Sequence, residues 1–457
     1  MKYPITCFVL VLSAALISQQ SCGQRKTTEK AKQAATQKLT DDQLLDTVEK
    51  QTFQYFWDGA EPNSGLARER VHVDGNYPEN DQHIVTTGGG GFGVMAILAG
   101  IHRKFITREQ GRERFERIVD FLSKADRFHG AWPHWMNGET GKVKPFGRKD
   151  NGGDLVESAF MIQGLLCVRQ YFKDGNTAEK ALAAKIDTLW HQVEWDWYRN
   201  GGKNVLYWHW SPEYAWEMNF PVKGYNECLI MYILAASSPT HTIPAEVYHE
   251  GWARSGAIKG GSTKYGYTLQ LNHNGALEYG GPLFWAHYSY LGLDPRGLKD
   301  QYADYWQENT AQTMINYSWC VENPGKYKGY GPDNWGLTAS YSVKGYDAHA
   351  PGAGKDLGVI SPTAALSSMP YSPKESIAAM RHWYTDMKDK LWGPYGFYDA
   401  FSETANWFPA RYLAIDQGPA VVMIENYRSG LLWNLFMSCP EVKGGLKKLG
   451  FQSPHIK

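Results

Sequence analysis

Thr86-Thr-Gly-Gly-Gly-Gly-Phe-Gly-Val-Met-Ala-Ile-Leu98 opens on small residues and then runs on without a charge. An apolar run of this kind, with no polar face, predicts a helix covered on all sides. Five more segments follow the same plan. They are Asn151-Gly-Gly-Asp154-Leu-Val-Glu157 (running on to Leu165 and Leu166), Gly224-Tyr-Asn-Glu227-Cys-Leu-Ile-Met-Tyr-Ile-Leu234, Gly280-Gly-Pro282-Leu-Phe-Trp285, Ser361-Pro362-Thr-Ala-Ala-Leu366 and Gly418-Pro419-Ala-Val-Val-Met-Ile424. Proline suits the first turn of a helix, where its missing N–H would be unpaired anyway. Between these runs lie amphipathic stretches over 41–57, 107–125, 178–198, 244–253, 296–318 and 373–389, with Thr40, Thr107, Thr177 and Ser372 as caps. Six buried helices alternating with six half-exposed ones predict an all-α fold, an (α/α)6 barrel with an inner and an outer ring.

That architecture has a chemical consequence. Each inner helix follows an outer one, so all inner helices run the same way and their N-termini share one end. Asp154, Glu157, Glu227 and Asp416 lie at or near those starts and are expected to converge on one cavity. Each alone could be a cap or an acid favoured by the helix dipole; Asp416, before Gln-Gly-Pro, reads as an N-cap. Glu227 adjoins the most apolar run, where burial raises a carboxyl pKa as a general acid requires.

Aromatic loops lead into the same end. Ala131-Trp132-Pro-His134-Trp135, Leu206-Tyr207-Trp208-His209-Trp210 and the segment from Tyr330 to Trp335 are dense in rings. So is Gly393 to Ser429, where Tyr395 to Trp407 would wall the cavity beside Asp399 and Glu425. Rings cover the apolar faces of sugars, and adjacent carboxyls cut glycosidic bonds. Candidate sugar contacts are therefore Trp132, Trp135, Trp208, His209, Trp335, Tyr398, Asp399, Trp407 and Glu425. No second ligand pair accompanies His209, so no metal site is expected. The glycines from Gly88 lack the Gly-Lys-Ser/Thr ending of a phosphate-binding loop, and no Gly-x-Ser-x-Gly elbow occurs.

Lys+Arg and Asp+Glu are equal at 47 each, which argues against a nucleic-acid partner. Residues 1–22 form a targeting segment, with Lys2 ahead of an apolar run too short to span a bilayer. It ends at Ser-Gln-Gln-Ser-Cys22 and resembles a lipoprotein signal, with Cys22 as the lipidated residue. Residues 23–39 are a polar tether, and one domain spans 40–457. The tether lacks the acidic run of a surface-exported lipoprotein, so the expected location is the outer membrane, facing the periplasm. Cys167, Cys228, Cys320 and Cys439 remain; no CxxC spacing occurs, and Cys167 and Cys228 read as small buried hydrophobes. Their disulfide state is left open.

Phe53-Gln-Tyr-Phe-Trp-Asp58-Gly-Ala-Glu-Pro62-Asn-Ser-Gly65-Leu, the Thr86 to Gly93 run, Gly153-Asp154-Leu-Val-Glu157-Ser-Ala, Tyr225-Asn-Glu227 and the Asp399 to Glu425 block together resemble the bacterial glucoamylase-like domain, glycoside hydrolase family 144. The resemblance covers 40 to 450. It implies an (α/α)6 barrel acting on β-1,2-glucan without a metal or organic cofactor, either internally or by releasing sophorose from a chain end. The family's essential acids match Asp154, Glu157 and Glu227, with Asp416 a further candidate. The resulting expectation is a monomeric, inverting hydrolase that releases sophorose, with Glu227 as acid and Asp416 as base, directly or through a hydroxyl or water. Asp154 and Glu157 would hold sugar hydroxyls or tune the acid. Internal cleavage is the alternative within the class. A non-catalytic glycan-binding lipoprotein is the alternative outside it, and an acid-rich site argues against a polysaccharide lyase.

Overall fold

The computed structural model describes residues 39–77, 81–275 and 278–456. The targeting segment, Cys22 and nearly all of the tether lie outside the described residues. Two compact units are distinguished, Met1–Leu45 and Asp46–Lys457. Of the first, residues 39–45 are described, and from Asp41 they are helical.

Thirteen α-helices occur among the described residues. They are α1 (Asp41–Trp57), α2 (Thr87–His102), α3 (Arg108–Leu122), α4 (Leu155–Phe172), α5 (Thr177–His191), α6 (Leu229–Ser237), α7 (Tyr305–Glu322), α8 (Pro362–Ser367), α9 (Pro373–Asp386), α10 (Lys388–Leu391), α11 (Ala414–Arg428), α12 (Leu431–Met437) and α13 (Pro440–Lys448). The apolar helices form the inner ring: α2 packs on α4 and α11, α4 on α6, and α11 on α8. Every residue of α6 and α8 is buried, and so is every residue of α2 except His102. α3, α5 and α9 cover them from outside. Strands are short and confined to rim hairpins and ribbons, the longest described being Ala339–Ser342 against Gly345–Ala348.

The α2–α4 crossing is made of backbone. A Cβ on Gly91 would sit 2.4 Å from the Phe160 carbonyl oxygen, and one on Gly164 would sit 2.2 Å from the Gly91 oxygen. Glycine thus lets the two helices meet without side chains between them.

Several elements depart from the expected pattern. The fourth inner segment is not an α-helix but two 3₁₀ turns, Leu283–Ala286 and Tyr288–Tyr290. Side chains of its neighbours take over its backbone pairing. Gln312 Nε2 donates to the Gly280 and Pro282 carbonyls, Thr338 Oγ1 accepts from Phe284 N, and Gln163 Nε2 donates to the Tyr288 carbonyl. The expected helix over 244–253 includes a π-helix at Val247–Trp252, and 296–318 begins only at Tyr305, where Asp304 accepts from Gln307 N. Asn176 rather than Thr177 caps α5, paired reciprocally with Glu179. Thr107 caps α3 in the same reciprocal way with Gln110. α11 starts at Ala414 with Leu413 as its cap, so Asp416 is the third helical residue and not the N-cap, and Pro419 lies inside the helix. The four cysteines are free and buried. No helix among the described residues is long and apolar enough to cross a membrane.

Candidate active site

The shared N-terminal end of the inner ring holds a cavity of 870 Å³. Thr86 ahead of α2, Glu157 in the first turn of α4, Glu227 just ahead of α6, Tyr288 of the 3₁₀ segment and Ile415 at the start of α11 all line it. Trp135, Trp208 and His209 also line it, as the sequence suggests.

Asp154 is the N-cap of α4: its Oδ1 accepts from Glu157 N at 2.9 Å. Its Oδ2 accepts from Trp208 Nε1 at 3.1 Å and lies 3.2 Å from His134 Nδ1 and 3.7 Å from His209 Nδ1. One carboxylate therefore fixes a helix start and a tryptophan and faces two histidines. Burial works against its charge, but the His134 hydrogen bond and the nearby His209 hold it below the ordinary carboxylate range. Burial also works against the charge of His134, yet Glu157, Asp154 and Asp150 together push that imidazole up to about 9. Asp150 Oδ1 lies 3.3 Å from His209 Nδ1. His134, Asp150 and Asp154 bring ligand-type atoms within 4.8 Å of one another, a convergence that the spacing around His209 gave no sign of. Those atoms serve an ion-paired network that holds Asp154 charged.

Glu157 Oε2 accepts from Gly88 N at 2.7 Å, tying α4 to the first turn of α2. A side chain at position 88 would collide with it, since a Cβ there would lie 2.4 Å from that oxygen. Burial pushes the Glu157 carboxyl up to about 7, with His134 opposing and Asp154 reinforcing the rise. Burial, reinforced by the Glu157 charge, likewise pushes Glu227 up to about 7. Near neutrality, then, Glu157 and Glu227 each hold a proton about half of the time, which Asp154 does not; Glu157 is tied to Gly88 N, which leaves Glu227 the freer donor to a leaving oxygen.

Asp416 lies apart from this lining. It is buried beneath the cavity in a small void with His287, Thr338 and Thr363, behind Tyr288, which borders both spaces. Burial and the neighbouring Asp399 raise its carboxyl well above the ordinary value, and Asp399 itself is pushed to about 6. Each carboxyl feels the other's charge, so the two titrate as a pair. Asp399 Oδ2 also accepts from Tyr341 N at 2.9 Å, and Tyr288 shares the small void with Asp416 and opposes the rise of its carboxyl.

Six expected sugar contacts lie elsewhere. Trp132 is fully buried, its Nε1 donating to the Leu122 carbonyl, and Trp335 is fully buried with its Nε1 on the Glu375 carbonyl. Both are core. Tyr398 packs on Tyr412, and Trp407 packs on a small cluster around Tyr341 and Val359. Asp399 is buried beneath the cavity. Glu425 sits in the last turn of α11, at the opposite end of the barrel, in an ion pair with Arg103. The aromatic density from Tyr395 to Trp407 therefore packs the loop and does not wall the cleft.

Residues that the sequence did not single out complete the lining: Glu69, Arg70, Phe146, Asp150, Met218, Tyr288, Tyr341 and Tyr346. Four lie in loops, three in short strands and one in a 3₁₀ turn, none of them in a stretch with helical periodicity. Asp150 had one signal, its place four residues before Asp154.

An α/α barrel that gathers rings and carboxyls raised to about 7 at the starts of its inner helices has the makings of a carbohydrate-cleaving barrel. The Glycoamylase family model matches residues 219–440. An endo-β-1,2-glucanase from Chitinophaga pinensis, solved with sophorotriose and glucose, is 75% identical over 92% of this chain and 100% of that one, with a TM-score of 0.91. A curated exo-β-1,2-glucooligosaccharide sophorohydrolase (non-reducing end) of Parabacteroides distasonis is 48% identical over 435 residues; the match spans 91% of this chain and 59% of that relative's length. An endo-β-1,2-glucanase from Talaromyces funiculosus shares the fold alone, with a TM-score of 0.63 at 13% identity. The chain belongs to the bacterial glucoamylase-like family, glycoside hydrolase family 144.

Proposed function

We infer that this protein hydrolyses β-1,2-glucan or its oligosaccharides with inversion at the anomeric carbon. The observation that carries the reading is Glu227, a cavity-lining carboxyl pushed to about 7 in a chain 75% identical to a β-1,2-glucanase. Glu227 gives its proton to the leaving glycosidic oxygen. A water attacks the opposite face of the sugar, and the Asp416–Asp399 pair takes up the water's proton. Because Asp416 lies behind Tyr288, that proton passes through a hydroxyl, Tyr288's or the sugar's own. Asp154 and Glu157 hold the helix starts and tune Glu227.

Sophorose release from a chain end is supported by the curated Parabacteroides relative. A second reading, internal cleavage, is favoured by the greater identity and full-length match to the Chitinophaga enzyme. Incubation with linear β-1,2-glucan tests both. Sophorose as the sole early product supports chain-end release, and a ladder of longer products supports internal attack. Proton NMR should detect the new reducing end first as its α anomer. A first-formed β anomer would overturn inversion, and an intact polymer would overturn the enzyme reading.

The pH dependence follows from the two groups. Glu227 must be protonated, so kcat/KM falls as pH rises through about 7. The Asp416–Asp399 pair must be able to accept a proton, so kcat/KM also falls as pH drops through about 6. The expected profile is a narrow bell between these limbs. A rate that climbs steadily above pH 8 (roughly one unit beyond the upper limb) would remove Glu227 as the acid.

We also propose that the protein is a monomer anchored through lipid on Cys22 and faces the periplasm, on the strength of its N-terminal sequence. Labelled palmitate should enter the wild-type protein and not Cys22→Ala. Equal labelling of both would refute the anchor.

A further inference from the structure

Large apolar side chains gain nothing for the fold when they stand in water, so exposed rings inside a cavity call for a ligand. Two rings stand out. Phe146 is 51% exposed and Tyr346 is 56% exposed, and both line the 870 Å³ cavity. They come from separate rim elements.

Phe146 sits on a tight turn closed by pairing of Gly147 with Asp150. Its ring stacks on His134, centroids 4.2 Å apart at 20°, and meets the edge of Trp135 at 4.8 Å and 68°. One face is thus backed by the network that holds Asp154, while half of the side chain stays uncovered. Tyr346 lies on the outer strand of the hairpin Ala339–Ser342/Gly345–Ala348, whose inner strand is wholly buried and whose outer strand is wholly exposed. It stands opposite Tyr341, which lines the same cavity. Among the described residues, Tyr346 Oη makes no hydrogen bond.

The cations near Phe146 each face a partner, His134 facing Asp154 at 3.2 Å. The Arg148 guanidinium lies over the Tyr214 ring at 5.1 Å, and Lys149 pairs with Glu217 at 3.1 Å. The rim therefore offers rings in preference to free positive charge, which suits neutral pyranose rings better than uronates.

We propose that Phe146 and Tyr346 are sugar platforms that stack on neutral glucose units of the chain bound in this cavity. The proposal rests on the glucan reading above and adds to it the residues that hold the polymer. Phe146→Ala and Tyr346→Ala should each raise KM for linear β-1,2-glucan about tenfold, with the loss falling on KM and not on kcat. Phe146→Tyr and Tyr346→Phe should restore KM, whereas Phe146→Leu should not. Calorimetric titration of β-1,2-glucooligosaccharide into full-length Glu227→Gln, with and without each alanine change, should reproduce the tenfold loss as binding. An unchanged KM in both alanine variants, a loss confined to kcat, or rescue by leucine as good as by tyrosine would overturn the platforms. A wild-type protein that neither cleaves nor binds the glucan would instead overturn the glucan reading, so the two failures are distinct.

Discussion

Glu227→Gln is expected to lower kcat on β-1,2-glucan by about 10²- to 10⁴-fold, the usual contribution of a positioned acid. Glutamine keeps the shape and polarity of the neutral acid but has no proton to give. The fold should not suffer. Burial raises the Glu227 carboxyl from an ordinary value of 4.5 to about 7, so the folded protein binds that proton more tightly than the unfolded chain. Its contribution to stability is fully present below about pH 4.5 and is lost as pH rises through about 7. The glutamine variant lacks this loss, so its Tm at pH 8 (roughly a unit above the upper value) should equal or exceed the wild type's. Steady-state kinetics and a thermal scan check the two halves separately. A variant that keeps near-normal turnover removes Glu227 from the chemistry, and one that loses turnover only because it unfolds leaves a depressed Tm as the sign.

Gly91→Ala is the second large effect, and two physical terms oppose each other there. Helix propensity favours alanine over glycine by about 1 kcal/mol. The α2–α4 contact opposes it, because the new Cβ would meet the Phe160 oxygen at 2.4 Å and the Met161 backbone nitrogen at 2.6 Å. Backbone atoms in two packed helices cannot swing aside as a side-chain tip does, and overpacking a tight core costs about 1–3 kcal/mol. The steric term should win, giving a net loss of up to about 2 kcal/mol, measured as a shift in urea midpoint at unchanged slope. Gly164→Ala should behave alike, and the double variant should be non-additive because the two positions touch. A gain in stability from either single change would mean that the helices part easily.

The fold was legible where the sequence has to solve a burial problem alone. α2, α4 and α6 have no polar face, so nothing but an inner position suits them. The fourth inner segment reads as a helix in the sequence, but its 3₁₀ turns are held by amides on other elements, Gln163 and Gln312, which no local pattern announces. Of the acids at helix starts, Glu157 and Glu227 reach the cavity as the helix direction predicts, whereas Asp154, the N-cap of α4, is turned into the wall behind it. Asp416 was half legible. Its helix was found, but a start two residues earlier than Asp416 turns the side chain beneath the cavity, against Asp399. The aromatic loops were the least readable. Trp132 and Trp135 are three residues apart, yet one is core and the other lines the cavity. Ring content says that a loop is packed, while the choice of partner lies in tertiary contacts.

The hairpin over 339–348 joins two places that differ in depth. Its outer strand carries Tyr346 in the open cavity, and its inner strand gives the Tyr341 N–H to Asp399 beneath. Four residue pairs link the strands. Asp399 therefore takes the one backbone N–H bond described for it from the strand paired with the one that carries Tyr346. A ring at the rim and an acid at the floor are placed by a single ribbon, so a one-residue slip in its register would misplace both at once.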